Sequence, residues 1–338
     1  MNDSNNLNQT VKYETIYALT LVAVAVFSII GLLANIFLLH ILIKYKEFCK
    51  TTYYLLRISV ISDIISNFAT ATGYLVTPGG NFSYLDGRTL CRCIVFIIFS
   101  SYGVSIMTLG IIAIDRYFVI VRPLSSFYSR YKYRFIRGLF ALVAITVFGS
   151  TFPGLFFITV YPNDIQFCHL TTITLTISYY LIGSTITLYI IPALTLTISY
   201  GKIIIHMRSY VRPGENAFNR NDENHKKRKF IRMLISIASA YLLISWPFFA
   251  SNLGMAITRK SLRQIRQLGF VYYLLTLFSF CTTTAISILN PFLYFKFDKA
   301  IRLKAKMHLF AIYNMAKSRA QTTDDMAKNP SINKSNGT

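Results

Sequence analysis

The sequence predicts an all-α membrane protein, a bundle of seven transmembrane helices followed by a short amphipathic helix. Three observations lead to this prediction. The chain of 338 residues is 54% hydrophobic and only 14% charged, and its mean hydropathy is +0.47. It contains seven apolar stretches of membrane-spanning length, and the loops after alternate stretches are rich in lysine and arginine. A soluble chain of this length would instead be expected to form two domains.

Each apolar stretch is long enough to cross the roughly 30 Å hydrocarbon core of a bilayer as a helix. Helices are expected because lipid cannot hydrogen-bond an unpaired backbone. The runs are also continuous, unlike the alternating segments of a membrane β-barrel. The predicted spans, numbered one to seven, cover residues 16–43, 53–77, 90–121, 136–160, 174–205, 229–256 and 267–294.

The net charge of +22 predicts the orientation in the membrane. In a soluble protein this charge would suggest nucleic-acid binding, but we expect no nucleic-acid partner because the basic residues lie in loops. Lysine and arginine accumulate on the cytoplasmic side of membrane proteins. Here they are most frequent after spans one, three, five and seven. This pattern predicts a multi-pass protein of the plasma membrane with its N-terminus outside and its C-terminus inside.

The segments outside the seven-helix region, residues 16–294, are polar or amphipathic. Residues 1–15 are predicted to be an extracellular N-terminal segment without a cleavable signal peptide. Glycosylation sequons begin at Asn8 and Asn81 on the predicted outer face. Residues 295–310 carry apolar and basic side chains on opposite sides, which predicts a helix lying on anionic membrane lipids. Residues 311–338 are polar, and we expect a disordered cytoplasmic tail.

Two cysteines are placed on the outer face. Cys91 lies at the outer start of span three, and Cys168 lies in the loop between spans four and five. Both face an oxidising compartment, in which disulfides persist. The placement is therefore compatible with a disulfide between them, and Cys93 is the competing partner.

Span two carries an acidic residue within the bilayer. An ionisable residue inside a span costs roughly 2.5–3.5 kcal/mol on insertion scales and therefore points to a function. Asp63 has apolar neighbours in the sequence and needs polar partners. Two interpretations stay open: a hydrated cage that holds a cation such as Na⁺, or a hydrogen-bond network between helices without an ion. The candidate partners are Asn35, Ser105, Ser287 and Asn290.

Two further features favour a bundle that moves. Asp115-Arg116-Tyr117 stands at the cytoplasmic end of span three, where Asp115 is a natural counter-ion for the permanently charged Arg116. Simple snorkelling of the arginine to the interface is the alternative. Prolines inside three spans remove helix hydrogen bonds and kink the helices, although membrane helices often tolerate them. These prolines are Pro192, Pro247 and Pro291.

With these motifs the chain resembles the rhodopsin-like (class A) G-protein-coupled receptors. The resemblance covers roughly residues 20–310 and depends on short motifs that occur in the right order on the right spans. Asp63 is similar to the family's sodium-site aspartate, and Cys91 and Cys168 to its outer disulfide. The other matching residues are Asn35 in span one, Asp115-Arg116-Tyr117 and Pro123-Leu124 at the end of span three, Pro192 and Tyr200 in span five, Trp246-Pro247-Phe248 in span six, and Asn290-Pro291-Phe292-Leu293-Tyr294 in span seven.

Span six departs from the family pattern in the position of its tryptophan. The family usually has Cys-Trp-x-Pro, whereas Ser245-Trp246-Pro247 places the tryptophan one residue late. One residue rotates a helical side chain by about 100°. Either Trp246 is therefore not the usual switch, or the helix is locally distorted.

Two more departures concern the expected core switch and the expected lock. Tyr241 replaces the phenylalanine that the family usually places beside Pro192 and Ile106. Lys227 stands where some members carry an acid that locks Arg116, so that lock is absent.

The resemblance implies a receptor mechanism. An outer ligand favours one arrangement of the bundle by binding it more tightly. Span six then moves outward below Pro247, and Arg116 leaves Asp115 for a new network. The opened cleft accepts a heterotrimeric G protein, and phosphorylated residues of the tail would recruit arrestin. The residues implied in activation and coupling are Asp115, Arg116, Tyr117, Pro123, Leu124, Tyr200 and Tyr294.

The residues of the expected ligand pocket argue against two ligand classes. Ile98 stands where amine receptors carry an aspartate, and Thr284 stands where opsins carry a lysine. The basic third outer loop and residues 107–115, which look like those of neuropeptide receptors, favour a peptide ligand. A receptor for a non-peptide small molecule is the alternative. The candidate ligand-binding residues are Ile98, Tyr102, Ser184, Phe248, Asn252, Phe280 and Thr284.

Two other classes of membrane protein fit the sequence less well. A seven-helix transporter would need a continuous polar path and usually repeated halves, but no repeat is visible and Asp63 is isolated among acids. An intramembrane enzyme would need paired acids or a cluster of metal ligands, and the histidines are scattered near span ends and in loops. We therefore expect a protein that is not an enzyme, with no cofactor other than an allosteric Na⁺ at Asp63.

Overall fold

Long helices make up the first half of the chain. The computed structural model describes residues 2–76, 83–123, 126–161, 164–209 and 217–328. Spans one to four are the helices α1 (Asn2–Lys44), α2 (Thr51–Val76), α3 (Tyr84–Val121) and α4 (Ser126–Thr151), with a 3-10 turn at Lys46–Phe48 between the first two. Asn81, Leu124 and residues 329–338 lie outside the described residues, as do the side chains of Asn8 and Lys227.

The second half of the chain begins with a short helix and a hairpin. Helix α5 (Gly154–Phe157) is followed by the strands β1 (Thr159–Tyr161) and β2 (Asp164–His169). Span five consists of α6 (Leu175–Thr185), a π turn (Ile186–Ile190) and α7 (Ile191–Ser209). Span six is α8 (Ala217–Thr258), α9 (Leu262–Leu268) is a short outer helix, span seven is α10 (Phe270–Phe297), and α11 (Lys299–Lys328) follows it.

The distribution of apolar side chains confirms an all-α membrane protein. Large apolar residues face outward along the long helices, as at Leu33, Ile145 (72% exposed) and Phe278. Contiguous exposed apolar surface of this kind is uncommon in soluble proteins and is expected where lipid is the solvent. Within the described residues, six helices are long and apolar enough to cross a membrane.

Span two is the helix that these six leave out, because its composition is more polar. Asp63 and Asn67 are buried, whereas Ile61, Ile65 and Phe68 on the opposite face are exposed. A helix that hides its polar residues inside the bundle has a low mean hydropathy but still presents an apolar surface to lipid. The seven predicted spans therefore all correspond to helices of the bundle.

The three prolines within spans have different effects. The π turn Ile186–Ile190 ends two residues before Pro192. Proline cannot donate a backbone hydrogen bond to the preceding turn, and the helix changes here from α to π hydrogen bonding. In contrast, α8 and α10 continue as helices through Pro247 and Pro291.

A disulfide holds the outer hairpin against span three. Strands β1 and β2 are antiparallel, and Val160 pairs with Cys168. Cys168 forms a disulfide with Cys91, with their Cα atoms 5.6 Å apart. Cys93 is exposed and free. The expected pairing is confirmed, and the bond places β2 over the outer end of the bundle. Span four ends before this hairpin, at Thr151, and does not reach residue 160.

The helices at both ends of the described chain are longer than expected. Helix α1 begins at Asn2, so residues 2–15 continue span one as helix. Helix α11 begins after Asp298, whose carboxylate accepts hydrogen bonds from the backbone of Ala300 and Ile301, and it extends to Lys328 rather than ending at 310. Residues 311–328 contain neither proline nor glycine, so nothing in their local sequence stops the helix.

Candidate functional site

A partly open cavity of about 190 Å³ lies in the outer half of the bundle. The disulfide between Cys91 and Cys168 lies at its outer end, and Phe248 and Phe249 of span six line it. Its wall is mainly apolar and aromatic, with a few hydroxyl and amide groups, as is usual for small-molecule sites. Of the candidate ligand-binding residues, those that line the cavity are Ile98, Ser184, Phe248, Asn252, Phe280 and Thr284.

The seventh candidate, Tyr102, does not line the cavity. Its buried ring lies against Phe249, with 5.6 Å between the ring centroids, and against Tyr241 at 5.9 Å. Tyr102 therefore packs in the core instead of offering its hydroxyl to a ligand. The cavity also has lining residues that the motifs did not indicate: Tyr17 and Leu21 of span one, Tyr74 of span two, His169 of β2 and Leu262 of α9.

Trp246 does not belong to the core switch. Helix α8 is continuous through Pro247, so the one-residue displacement turns the indole outward and leaves it 53% exposed. Ser245, which occupies the family's usual tryptophan position, is buried and donates a hydrogen bond to the Tyr241 carbonyl at 2.7 Å. Phe249 is the buried aromatic residue of this part of span six, and its ring stacks on that of Tyr189 with 5.0 Å between the centroids.

We expect Phe249→Ala to destabilise the protein far more than Trp246→Ala. Removing a buried phenylalanine typically costs about 3–5 kcal/mol, whereas Trp246 is more than half exposed. The thermal unfolding midpoints of the two purified variants in detergent measure the difference. Equal losses would contradict the assignment of Phe249 to the core and of Trp246 to the lipid-facing surface.

His169 forms part of the cover of the cavity. Its ring lies 5.9 Å from Tyr17 and 5.9 Å from Phe280. Burial lowers the pKa of His169 to about 4 from its usual value near 6.5. The ring is therefore neutral at physiological pH.

Acidification should loosen this cover. Between pH 6.5 and pH 4 the unfolded chain binds a proton at His169 that the packed ring does not, so stability decreases as the pH falls through this range. We expect the thermal unfolding midpoint to decrease from pH 7.4 to pH 5.5, and the decrease to be smaller in His169→Gln. His40→Gln, a change at an exposed histidine, is the matched control. An identical pH response in His169→Gln and the unmodified protein would contradict the role of His169.

A polar cluster lies at the centre of the bundle. The buried Asp63 carboxylate accepts hydrogen bonds from the Asn290 amide at 2.6 Å and from the Ser105 hydroxyl at 3.1 Å. Asn35 does not donate to Asp63 directly. Its amide donates to the backbone carbonyl of Ser287 in span seven at 2.9 Å. The structure thus brings the predicted partners of Asp63 together from spans one, three and seven.

The predicted coupling residues lie at the cytoplasmic end of the bundle. Arg116 is half-buried, its guanidinium lies 3.1 Å from the Asp115 carboxylate, and it also contacts the Thr52 hydroxyl. Asp115 has two further partners, Lys132 at 2.9 Å and the Tyr128 hydroxyl at 2.5 Å. The motifs did not indicate either of them. The carboxylate is therefore shared between two cations and a hydroxyl.

The remaining coupling residues occupy different surroundings. The rings of Tyr200 and Tyr294 are buried in the main core cluster, and their hydroxyls have no hydrogen-bond partner within the described part of the chain. The Tyr117 ring lies under the Lys202 ammonium at 5.7 Å. Pro123 is exposed. Tyr200 and Tyr294 thus place buried hydroxyls on spans five and seven.

Comparisons with known proteins agree with this arrangement. The family described as 7 transmembrane receptor (rhodopsin family) matches residues 34–294 of the chain. The neuropeptide Y receptor type 2 of Macaca mulatta is 25% identical over 324 residues, which are 91% of this chain and 81% of the relative. The human protein of the same name is 24% identical over the same length. The substance-P receptor of Aquarana catesbeiana is 22% identical over 315 residues, 91% of this chain and 74% of the relative.

Proposed function

Because the chain belongs to the rhodopsin family of seven-transmembrane receptors, we propose that it binds an extracellular peptide and activates a heterotrimeric G protein. One observation carries this proposal. One cluster of packed core side chains contains Phe248 and Phe249, which line the outer cavity, together with Tyr200 and Tyr294 near the opposite end of the bundle. Such a cluster can transmit a rearrangement at one end to the other, which a static membrane anchor does not need.

The cavity supports a peptide whose end segment enters the bundle. A volume of about 190 Å³ is below the usual range of about 300–1,000 Å³ for complete small-molecule sites, so it accommodates one or two side chains. The rest of such a ligand would lie outside, near α9 and its exposed Arg263. The relatives named for neuropeptide Y and substance P support the same ligand class. A non-peptide small molecule that fills the cavity is the competing ligand class.

Activation would involve an outward movement of span six below Pro247. In this mechanism Arg116 leaves Asp115 and joins Tyr200 and Tyr294, which opens a cleft for the G protein. Separating a buried ion pair normally costs several kcal/mol because a charge is left without a partner. Lys132 lowers this cost, since it remains 2.9 Å from Asp115.

The membrane arrangement completes the proposal. We place the protein in the plasma membrane with its N-terminus outside, its basic loops in the cytoplasm and α11 along anionic lipids. Arrestin is proposed as a second cytoplasmic partner, recruited by phosphorylation after α10.

A screen in cells tests the proposed function. Cells expressing the protein with a promiscuous G protein are exposed to a library of neuropeptides, and intracellular calcium is recorded. We expect at least one peptide to give a saturable response that is absent from untransfected cells. A response to non-peptide compounds alone would replace the ligand class, and substrate flux without nucleotide exchange would favour a transporter.

A further inference from the structure

Span six contributes a buried hydroxyl to the core. Tyr241 of α8 is 1% exposed and belongs to the same apolar cluster as Ile106. Its hydroxyl forms no hydrogen bond of good geometry among the described residues, but it is close enough to interact with the side chains of Ser105 and Asn290 and, electrostatically, with Asp63. A phenylalanine would fill the same space without a polar atom. Because buried polar groups nearly always find partners, this hydroxyl points to a role within the Asp63 cluster.

Hydrogen-bond donors surround the Asp63 carboxylate. The Asn290 amide nitrogen donates to one oxygen at 2.6 Å, and the Ser105 hydroxyl donates to the other at 3.1 Å. The Ser59 hydroxyl donates to Ser105 at 3.2 Å and extends the network. Donors of this kind stabilise a buried carboxylate without a counter-ion.

These residues fit a hydrogen-bond network better than a sodium ion. A hard cation is bound by oxygen lone pairs, yet Asn290 directs its NH₂ group at Asp63. The Asn290 carbonyl oxygen is buried and has no partner in the described part of the chain. The nearby Tyr241 hydroxyl can donate to this oxygen or to the carboxylate itself. Of the two interpretations that the sequence left open, the network without an ion agrees with this geometry.

We propose that the Tyr241 hydroxyl takes the place of a sodium ion in the Asp63 cluster and ties span six to spans two, three and seven. This inference deepens the proposed function, in which span six is the element that moves. This hydrogen bond would restrain the movement of span six, and the thermal stability of the protein should not depend on sodium. Tyr241 is thus a positioning residue that acts through Asp63.

Thermal unfolding of the purified full-length protein in detergent tests this assignment without any ligand or G protein. The unfolding midpoint is measured in equal concentrations of sodium chloride and choline chloride. We expect the same midpoint in both salts for the unmodified protein. Tyr241→Phe should have a lower midpoint in choline chloride and should be stabilised by sodium, because the ion can then reach Asp63.

Three further variants make the result specific. Tyr273→Phe removes a hydroxyl from another fully buried tyrosine and should remain insensitive to sodium. Tyr241→Phe combined with Asp63→Asn should lose the sodium response, because the cluster no longer carries a negative charge. Tyr241→Leu, which also lacks the hydroxyl, gives the same comparison if the phenylalanine variant cannot be purified.

Two results would overturn the proposal. One is stabilisation of the unmodified protein by sodium as large as that of Tyr241→Phe. The other is insensitivity of both hydroxyl-free variants, which would mean that Tyr241 does not determine the response. Since the measurement needs neither ligand nor G protein, its failure is distinguishable from failure of the proposed receptor function.

Discussion

Replacing Arg116 by alanine should abolish G-protein activation while the protein still reaches the cell surface. In the proposed mechanism Arg116 forms the network that holds the cytoplasmic cleft open. Charged hydrogen bonds contribute about 1.5–3 kcal/mol each, so their loss should reduce activation by at least about tenfold. The fold should survive, because Asp115 keeps Lys132 and Tyr128 as partners. Nucleotide exchange in membranes and surface labelling of intact cells measure the two effects.

The control for this variant is Arg122→Ala. Arg122 follows the same helix and is exposed, so its removal should leave most of the signalling intact. Arg116→Lys keeps the charge but not the planar fork of donors, and we expect it to recover only part of the activity. Full signalling by Arg116→Ala would rule out the proposed mechanism.

Replacing Cys168 by serine should produce the second large effect, a loss of ligand response and of surface expression. The disulfide joins residues separated by 77 positions, and bonds that close long loops typically stabilise proteins by about 2–4 kcal/mol. Without it, β2 and His169 would no longer be held over the cavity. Ligand-stimulated nucleotide exchange and surface labelling should both decrease.

Two comparisons define the cause of that loss. Cys91→Ser should have the same effect, and the double variant should be no worse than either single one, because both remove one bond. Cys93→Ser, at an exposed free cysteine, should behave as the unmodified protein. A fully responsive Cys168→Ser variant would show that the bond is not needed for the ligand site.

The sequence predicted those features that follow from hydropathy and from motifs. Hydropathy located the helices. The outer placement was compatible with a disulfide between Cys91 and Cys168, and the resemblance to the receptor family favoured this pairing over one with Cys93. Asp63 was recognised because an acid within a span needs partners, and the structure brings Ser105 and Asn290 to it. Each of these features can be recognised from a short stretch of sequence, because burial in lipid limits which residues that stretch can contain.

Features that depend on three-dimensional packing were not predicted. The outward direction of Trp246 follows from an undistorted helix, which the sequence could not distinguish from a distorted one. Lys132 and Tyr128 reach Asp115 only because α4 folds back beside α3. Tyr17 and His169 line the cavity for the same reason, since helix α1 and the hairpin converge there. Helix α11 continues beyond residue 310 with exposed side chains, so no amphipathic pattern indicated its length.

The distance between the cytoplasmic ends of spans four and six tests the central claim most directly. Spin labels are attached to cysteines that replace the exposed Arg130 and Arg228, after Cys49 and Cys93 are changed to serine. With a peptide agonist from the screen and a nucleotide-free G protein, we predict that the label distance increases by several ångströms. A distance that stays the same with both partners bound would contradict the outward movement of span six and the account built on it.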